Sequence, residues 1–185
     1  NSPSSMLLDQ YEDASGCAVT AVVEGSRIFL HEIQALVGST PYPNPRRVVL
    51  GLDYNRLLQI VAVLEKKVGL NLSKQDVYVN VVGGLDIIEP GYDLALCLAI
   101  ISSIRDIPIS NKTIIIGEIG LLGEVRPVAN IERRLKEACK LGFRKAIIPC
   151  VNSETYKKIN SIGLELKQVK KVTDAIIQGL KQDKS

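Results

Sequence analysis

Apolar and polar residues alternate from Ala18 to Val23 and again from Ile28 to Val37, with Glu24-Gly25-Ser26 between the two runs. A period of two predicts a pair of strands joined by a tight turn. The alternation stops over 38–47, where Pro41, Pro43 and Pro45 fall within five positions. No helix forms through such a stretch, and a regular central strand does not fit it. From Tyr54 the period becomes helical. Leu57, Ile60, Val61, Leu64 and Val68 share one face, with Asp53 placed to cap the start and Gly69 to end it. Val77 to Val82 reads as a strand stopped by Gly83-Gly84. Pro90 suits the first turn of an apolar helix running to Ile104, on which Leu94, Cys97, Leu98 and Ile101 share a face.

Thr113 to Ile116 reads as a buried strand. Asn130 is placed to cap a helix reaching Leu141, with Gly142 as its stop. A strand at Ala146–Ile148, a helix from Ser153, a strand at Leu164–Leu166 and a helix from Thr173 to Leu180 complete the pattern. A hairpin followed by strands alternating with helices predicts an α+β layered fold with a mixed sheet, rather than a doubly wound parallel one. The 185 residues are enough for one full core and too few for two. Ser- and Pro-rich residues at the start mark 1–15 as a linker remnant and 16–185 as the domain.

The composition, 46% hydrophobic and 23% charged, is that of an ordinary globular domain. A formal net charge of +3 implies a nucleic-acid partner only if the basic residues cluster. Cys17, Cys97, Cys139 and Cys150 are widely spaced, which fits neither a zinc site nor a redox pair and points to a reducing cytoplasm. The longest apolar runs are too short or interrupted to cross a bilayer, so no membrane is expected.

Arg27, Arg46, Arg47 and Arg56 are the candidate ligand-binding residues. Arg46 and Arg47 lie in the proline-punctuated loop, and Arg56 opens the next helix opposite Leu57 and Ile60. The planar guanidinium fork matches two phosphate oxygens, and the nearby Tyr42 and Tyr54 can stack on unpaired bases. The same arginines also suit subunit contacts or the pairing of carboxylates such as Asp53. Both readings stay open here. Arg126, Arg133, Arg134, Lys136 and Lys140 form a second basic group, read as a solvated or subunit-facing surface because Glu132 and Glu137 are interleaved with it. His31 has no second histidine to complete a triad. Asp93, Glu118 and Glu124 show no ligand spacing, so no metal is expected. No Gly-x-x-x-x-Gly-Lys-Ser/Thr loop occurs, so no nucleotide is expected in this domain.

The run from Gly117 to Pro127, closing on Asn130-Ile131-Glu132-Arg133-Arg134, resembles the strand–turn–strand–helix segment of Lon-type serine proteases. In that family the helix start carries the lysine of a Ser-Lys dyad, and the matching position here is Glu132. The nucleophile turn, Gly-Pro-Ser-Ala-Gly, matches Glu89-Pro90-Gly91-Tyr92-Asp93, which puts Gly91 at the serine position. Neither residue supplies a nucleophile or its base. The resemblance implies a Lon proteolytic-domain fold related to ribosomal protein S5 domain 2, without catalytic residues.

Four further motifs narrow it: Asn44-Pro45-Arg46-Arg47, Gly51 to Arg56, Glu89-Pro90 with Asp93-Leu94-Ala95, and Gly123-Glu124-Val125-Arg126. Together they are similar to the C-terminal domain of the RadA (Sms) family of bacterial DNA-repair and recombination ATPases with helicase activity. Tyr92 departs from the small residue usual in that family. The resemblance implies a ring homo-oligomer, expected to be a hexamer, a DNA partner, expected to be single-stranded, and a recombinase as a further partner. It also implies an excised domain, since the chain starts at Asn1, with zinc, ATP and Mg handled by domains upstream. Two alternatives remain: a protein-interaction scaffold that touches no DNA, and a peptidase whose dyad has migrated to Ser102 or Ser103 with Lys112.

Overall fold

The computed structural model describes residues 14–82 and 86–182. The expected turn at Gly83-Gly84 and residues 1–13 of the expected linker lie outside them. The elements are β1 (Cys17–Glu24), β2 (Arg27–Ser39), β3 (Arg47–Leu50), α1 (Tyr54–Val63), β4 (Gln75–Val81), α2 (Asp93–Arg105) and β5 (Thr113–Ile115). They continue with β6 (Glu118–Ile119), β7 (Val125–Arg126), α3 (Ile131–Lys140), β8 (Lys145–Pro149), α4 (Ser153–Asn160), β9 (Glu165–Val169) and α5 (Val172–Gly179).

Seven strands form one mixed sheet in the order β3-β4-β2-β1-β5-β8-β9. β1, β2 and β4 pair antiparallel, while β1-β5-β8-β9 and β3-β4 pair parallel. β6 and β7 make a separate two-stranded ribbon. The mixed sheet agrees with the sequence reading, but its C-terminal half is all parallel with helices on both faces. Ala18, Val22, Ile33, Val79 and Ile147 point to α1, α2 and α5; Ala21, Ile114, Ala146 and Ile148 point to α3 and α4. α2 is apolar all round because it lies between the sheet and the other two helices, and Leu94 to Ile101 are all fully buried.

The local signals act largely as expected. Asp53 accepts from the Asn55 amide at 3.1 Å and starts α1. That helix ends in a wider turn over Leu64–Val68, which Gly69 closes at φ 83°. Asn130 does not cap α3 with its side chain. It sits left-handed at φ 61°, a conformation asparagine tolerates, and its role is to turn the chain into the helix.

The antiparallel half is helix-covered on one face only. On its other face Leu36 and Leu50 are 66% and 65% exposed, Val48 is exposed beside them, and Tyr78 and Gln34 complete a groove of about 480 Å³. Two residues before Gln34 on β2, Glu32 is 2% exposed. Gln34 Nε2 donates to one of its carboxylate oxygens at 3.2 Å, and the other has no partner. Burial raises the Glu32 pKa, with Gln34 and Cys17 pulling it partly back. Burial and the Glu32 carboxylate push the Cys17 thiol up to about 12, so it behaves as a small apolar side chain.

A carboxyl whose folded pKa lies above its unfolded value contributes stability at low pH that is lost as pH rises through the folded pKa. The melting temperature of Glu32→Gln should therefore gain on that of the parent as pH rises from about 4, near the unfolded glutamate pKa, toward 8. Paired thermal melts across that range check it; a constant gap would mean that Glu32 does not titrate in this window.

Candidate functional site

Glu89 precedes the single tight turn of Pro90–Tyr92 that opens α2, and its Oε1 accepts from the Gly91 amide at 2.9 Å. Arg134 reaches the same carboxylate from α3. Its Nη1 donates to Oε2 at 2.8 Å and its Nη2 to Oε1 at 2.9 Å. Nη1 also donates to the Ala21 carbonyl at 3.0 Å and Nε to the Ala129 carbonyl at 2.9 Å. The Val23 amide donates to Glu89 Oε2 at 3.2 Å. Arg134 is 1% exposed, so the fork is desolvated, and the Glu89 carboxylate and the Ala21 and Ala129 carbonyls take its N–H groups. This corrects the reading of Arg134 as part of a solvated basic surface.

The pair occupies the space beside Gly91. A Cβ on Gly91 would stand 2.3 Å from Glu89 Oε1 and 2.7 Å from Arg134 Nη1. Those are clashes with the ends of pinned side chains. Any larger residue at 91 has to displace the end of one of these two side chains. Glu132 lies elsewhere: two residues before Arg134 is about 200° round the helix, and its carboxylate meets Lys136 Nζ at 3.0 Å.

A second buried pair lies one turn along α2. Arg56 of α1 donates from Nε to Asp93 Oδ1 at 2.9 Å and from Nη2 to Oδ2, and it also reaches the Ile119 carbonyl at 2.5 Å. Asp93 is wholly buried, and its Oδ2 accepts from the Ile119 amide at 3.0 Å. Hydrogen bonding to Asp93 holds the Arg56 pKa above its ordinary value. Burial raises the Asp93 carboxyl, and Arg56 and the Ile119 amide pull it back. α1, α2 and β6 are thereby joined.

The four candidate arginines are not one cluster. Arg47 donates to the Leu72 carbonyl at 2.7 Å and to the Gln75 carbonyl, so it ties the start of β3 to the loop before β4. Arg46 is exposed, with its guanidinium 4.4 Å from the Tyr42 ring centre. Arg27 is exposed at the other end of β2. Arg47 stands opposite Val77, which stands opposite Val37. At 3.2–3.4 Å per residue the ten residues from Arg27 to Val37 place the two arginines about 33 Å apart. Arg27 is instead brought beside Arg133, Lys136 and Lys140 of α3.

The remaining candidates are engaged in structure. Ser102 Oγ donates to the Ile107 carbonyl and accepts from the Gly16 amide, and Ser103 Oγ accepts from the Val37 amide. His31 meets Glu24 at 2.8 Å. Among the described residues no group of three or more His, Cys, Asp or Glu side chains is placed to hold a metal, and no helix is long and apolar enough to cross a membrane. The Glu89–Arg134 pair is what sequence reasoning missed. The period of α3 carried a usable signal, since Ile131, Arg134, Leu135 and Ala138 fall on one buried face.

A family model described as subunit ChlI of Mg-chelatase matches residues 56–152. The chain is 49% identical over 179 residues to the DNA repair protein RadA of Synechocystis sp., and 46% over 175 to that of Bacillus subtilis. Against the DNA repair protein RadA of Escherichia coli it is 45% identical over 177 residues. These alignments take in 96%, 94% and 95% of this chain but 35%, 38% and 38% of the relatives. The chain thus spans little more than a third of their length.

Removing one partner of a buried ion pair leaves the other charged and unpaired, at a cost of about 3–5 kcal/mol. Arg134→Met should lose stability on that scale, as should Gly91→Ser, which displaces the same pair. Arg134→Met with Glu89→Leu should recover much of the loss, because no charge is then stranded. Urea unfolding curves with an unchanged slope are the readout.

Proposed function

The chain belongs to the family described as subunit ChlI of Mg-chelatase and is a RadA-type sequence along nearly its whole length; from that premise we propose that it is the catalytically inactive, Lon-protease-like domain of a DNA-repair and recombination ATPase. In this reading it is the C-terminal part of the parent protein. It assembles the ring, expected to be a hexamer, and offers DNA a surface on it. ATP, Mg and zinc belong to other parts of that protein, because these residues have neither a phosphate-binding loop nor a metal-ligand cluster among the described positions. Helicase action, a recombinase partner and a cytoplasmic location are proposed of the parent protein on the same ground.

The observation that carries the inactive reading is the Glu89–Arg134 pair. It fills the space that a nucleophile's side chain at position 91 would need. Without an attacking oxygen and a neutral amine beside it there is no acyl transfer to catalyse. The exposed face of Leu36, Val48 and Leu50 supports self-association, since a contiguous apolar patch on a sheet marks a contact surface. A ring then multiplies weak DNA contacts by avidity.

For DNA, Arg46 and Arg27 are the exposed ones among the four candidate arginines and so the ones in reach of phosphate. Arg47 and Arg56 contribute by holding the proline loop and α1 in place, since their donors are directed inward. Affinity should fall with salt, and Arg46→Ala should lower the slope of log K against log salt by roughly 0.7 for single strands. Lys157→Ala is the control and should bind like the parent. A salt titration with labelled oligonucleotide, run beside light scattering and a casein digest, tests all three parts. A ring that binds no DNA at low salt would leave the interaction-scaffold reading, and casein cleavage above that of a heat-denatured control would refute the inactive one.

A further inference from the structure

The groove on the bare sheet face is lined by Leu36, Val48, Leu50 and Tyr78, and none of its lining residues is charged. A polyanion or an acidic peptide finds no cation in it, so the groove suits an apolar occupant. Ala14 and Ser15, the first two described residues, line the same groove. Hydrogen bonds fix the chain there. Ser15 Oγ donates to Asp106 Oδ1 at 2.7 Å, the Gly16 amide donates to Ser102 Oγ at 2.9 Å, and the Gly16 carbonyl accepts from the Ala35 amide at 2.8 Å. The thirteen residues before Ala14 therefore join the domain at the groove's edge. Among them Met6, Leu7 and Leu8 form an apolar run. At about 3.3–3.6 Å per residue, the six steps from Ala14 back to Leu8 reach up to about 20 Å. The three steps across the sheet from β1 through β2 and β4 to β3 take about 14 Å. The run is long enough on its tether to meet every strand of the groove.

From this juxtaposition we infer that Met6, Leu7 and Leu8 occupy the groove of their own chain, and that a neighbouring copy has to displace them to use that face. The second part rests on the self-association reading above; the first stands without it. The tether is what favours this occupant. A short flexible link holds the run beside the groove at an effective concentration in roughly the millimolar range, above that of a partner arriving from solution with similar contacts. Each leucine taken from water into apolar surroundings shifts an equilibrium about tenfold or more. The segment thus acts as a competitor carried by the chain itself, and it sets the concentration at which copies assemble.

The chain has no tryptophan, so Leu8→Trp in the full chain reports on its own surroundings by fluorescence. Its emission should be blue-shifted from that of the urea-unfolded chain at concentrations below assembly, and should move to the red as light scattering detects larger species. Ser2→Trp, outside the apolar run, should emit like the unfolded chain throughout. Adding Leu36→Asp and Leu50→Asp should return the Leu8→Trp emission to the red. Both leucines are exposed, and thermal melts confirm that each variant is folded. Leu7→Asp with Leu8→Asp should assemble at a concentration roughly tenfold lower than the parent. Red emission from dilute, folded Leu8→Trp, or blue emission that survives the two groove substitutions, overturns the inference. Emission that turns bluer as concentration rises puts the run in a second copy's groove and overturns its assignment to the same chain. If the Leu7 and Leu8 variant assembles no more readily than an assembling parent, the competition is overturned. If neither assembles at any concentration, the self-association reading fails and the competitor role with it, while the emission still decides whether the groove is filled.

Discussion

The Glu89–Arg134 ion pair fixes how the two halves of the sheet are clad. Its hydrogen bonds reach β1 through the Ala21 carbonyl and the Val23 amide, α2 through the Gly91 amide, and the entry to α3 through the Ala129 carbonyl. A charge taken out of water costs several kcal/mol; Arg134 is withdrawn fully and Glu89 in part, and close geometry with every oxygen engaged offsets that cost. Each carboxylate oxygen here receives a guanidinium N–H and a backbone N–H. The helix on one face of the sheet is thus docked against the helix on the other through a polar contact at the end of β1. The Arg56–Asp93 pair repeats the arrangement on the α1 side and joins β6 to it.

With those two pairs in place the surface chemistry divides along β2. This strand runs 13 residues, and its two ends carry different basic groups: the turn beside α3 at one, the proline loop at the other. Between them the sheet face is apolar and lacks a helix. Charge and apolar area are therefore separated on the same side of the molecule, which lets contacts with a polyanion and with another subunit coexist without competing for side chains.

Most of the fold is legible in the sequence because its signals are local. The alternation of β1 and β2, the cap at Asp53, the stop at Gly69 and the apolar run of α2 each act within one or two turns of chain. The strand order is not local, and nothing in the period of β5 or β8 says that β1 is their neighbour. The site was less legible for the same reason. Arg47 and Arg56 looked like ligand-binding residues because a guanidinium beside prolines or on a polar helix face is ambiguous until its acceptor is known. Their acceptors, the Leu72 carbonyl and Asp93, lie 25 and 37 residues away in the chain. Arg134 was misread by neighbourhood: charged residues on either side masked its place on the buried face of α3. The grouping of Arg27 with α3, like the strand order, needed the tertiary structure outright.

The central place of β1 has a consequence for how the chain is made. On one edge β1 pairs with β2, which follows it at once; on the other it pairs with β5 through Val19 and Ile114. About a hundred residues separate those two partners, and at ribosomal speeds of about 5–20 residues per second the second edge waits on the order of 5–20 seconds. During that interval β1 presents an unpaired row of amides and carbonyls flanked by apolar side chains, the form that recruits strands from other nascent chains. Synthesis of this protein is thus a race between the emergence of β5 and any foreign strand near the exit tunnel.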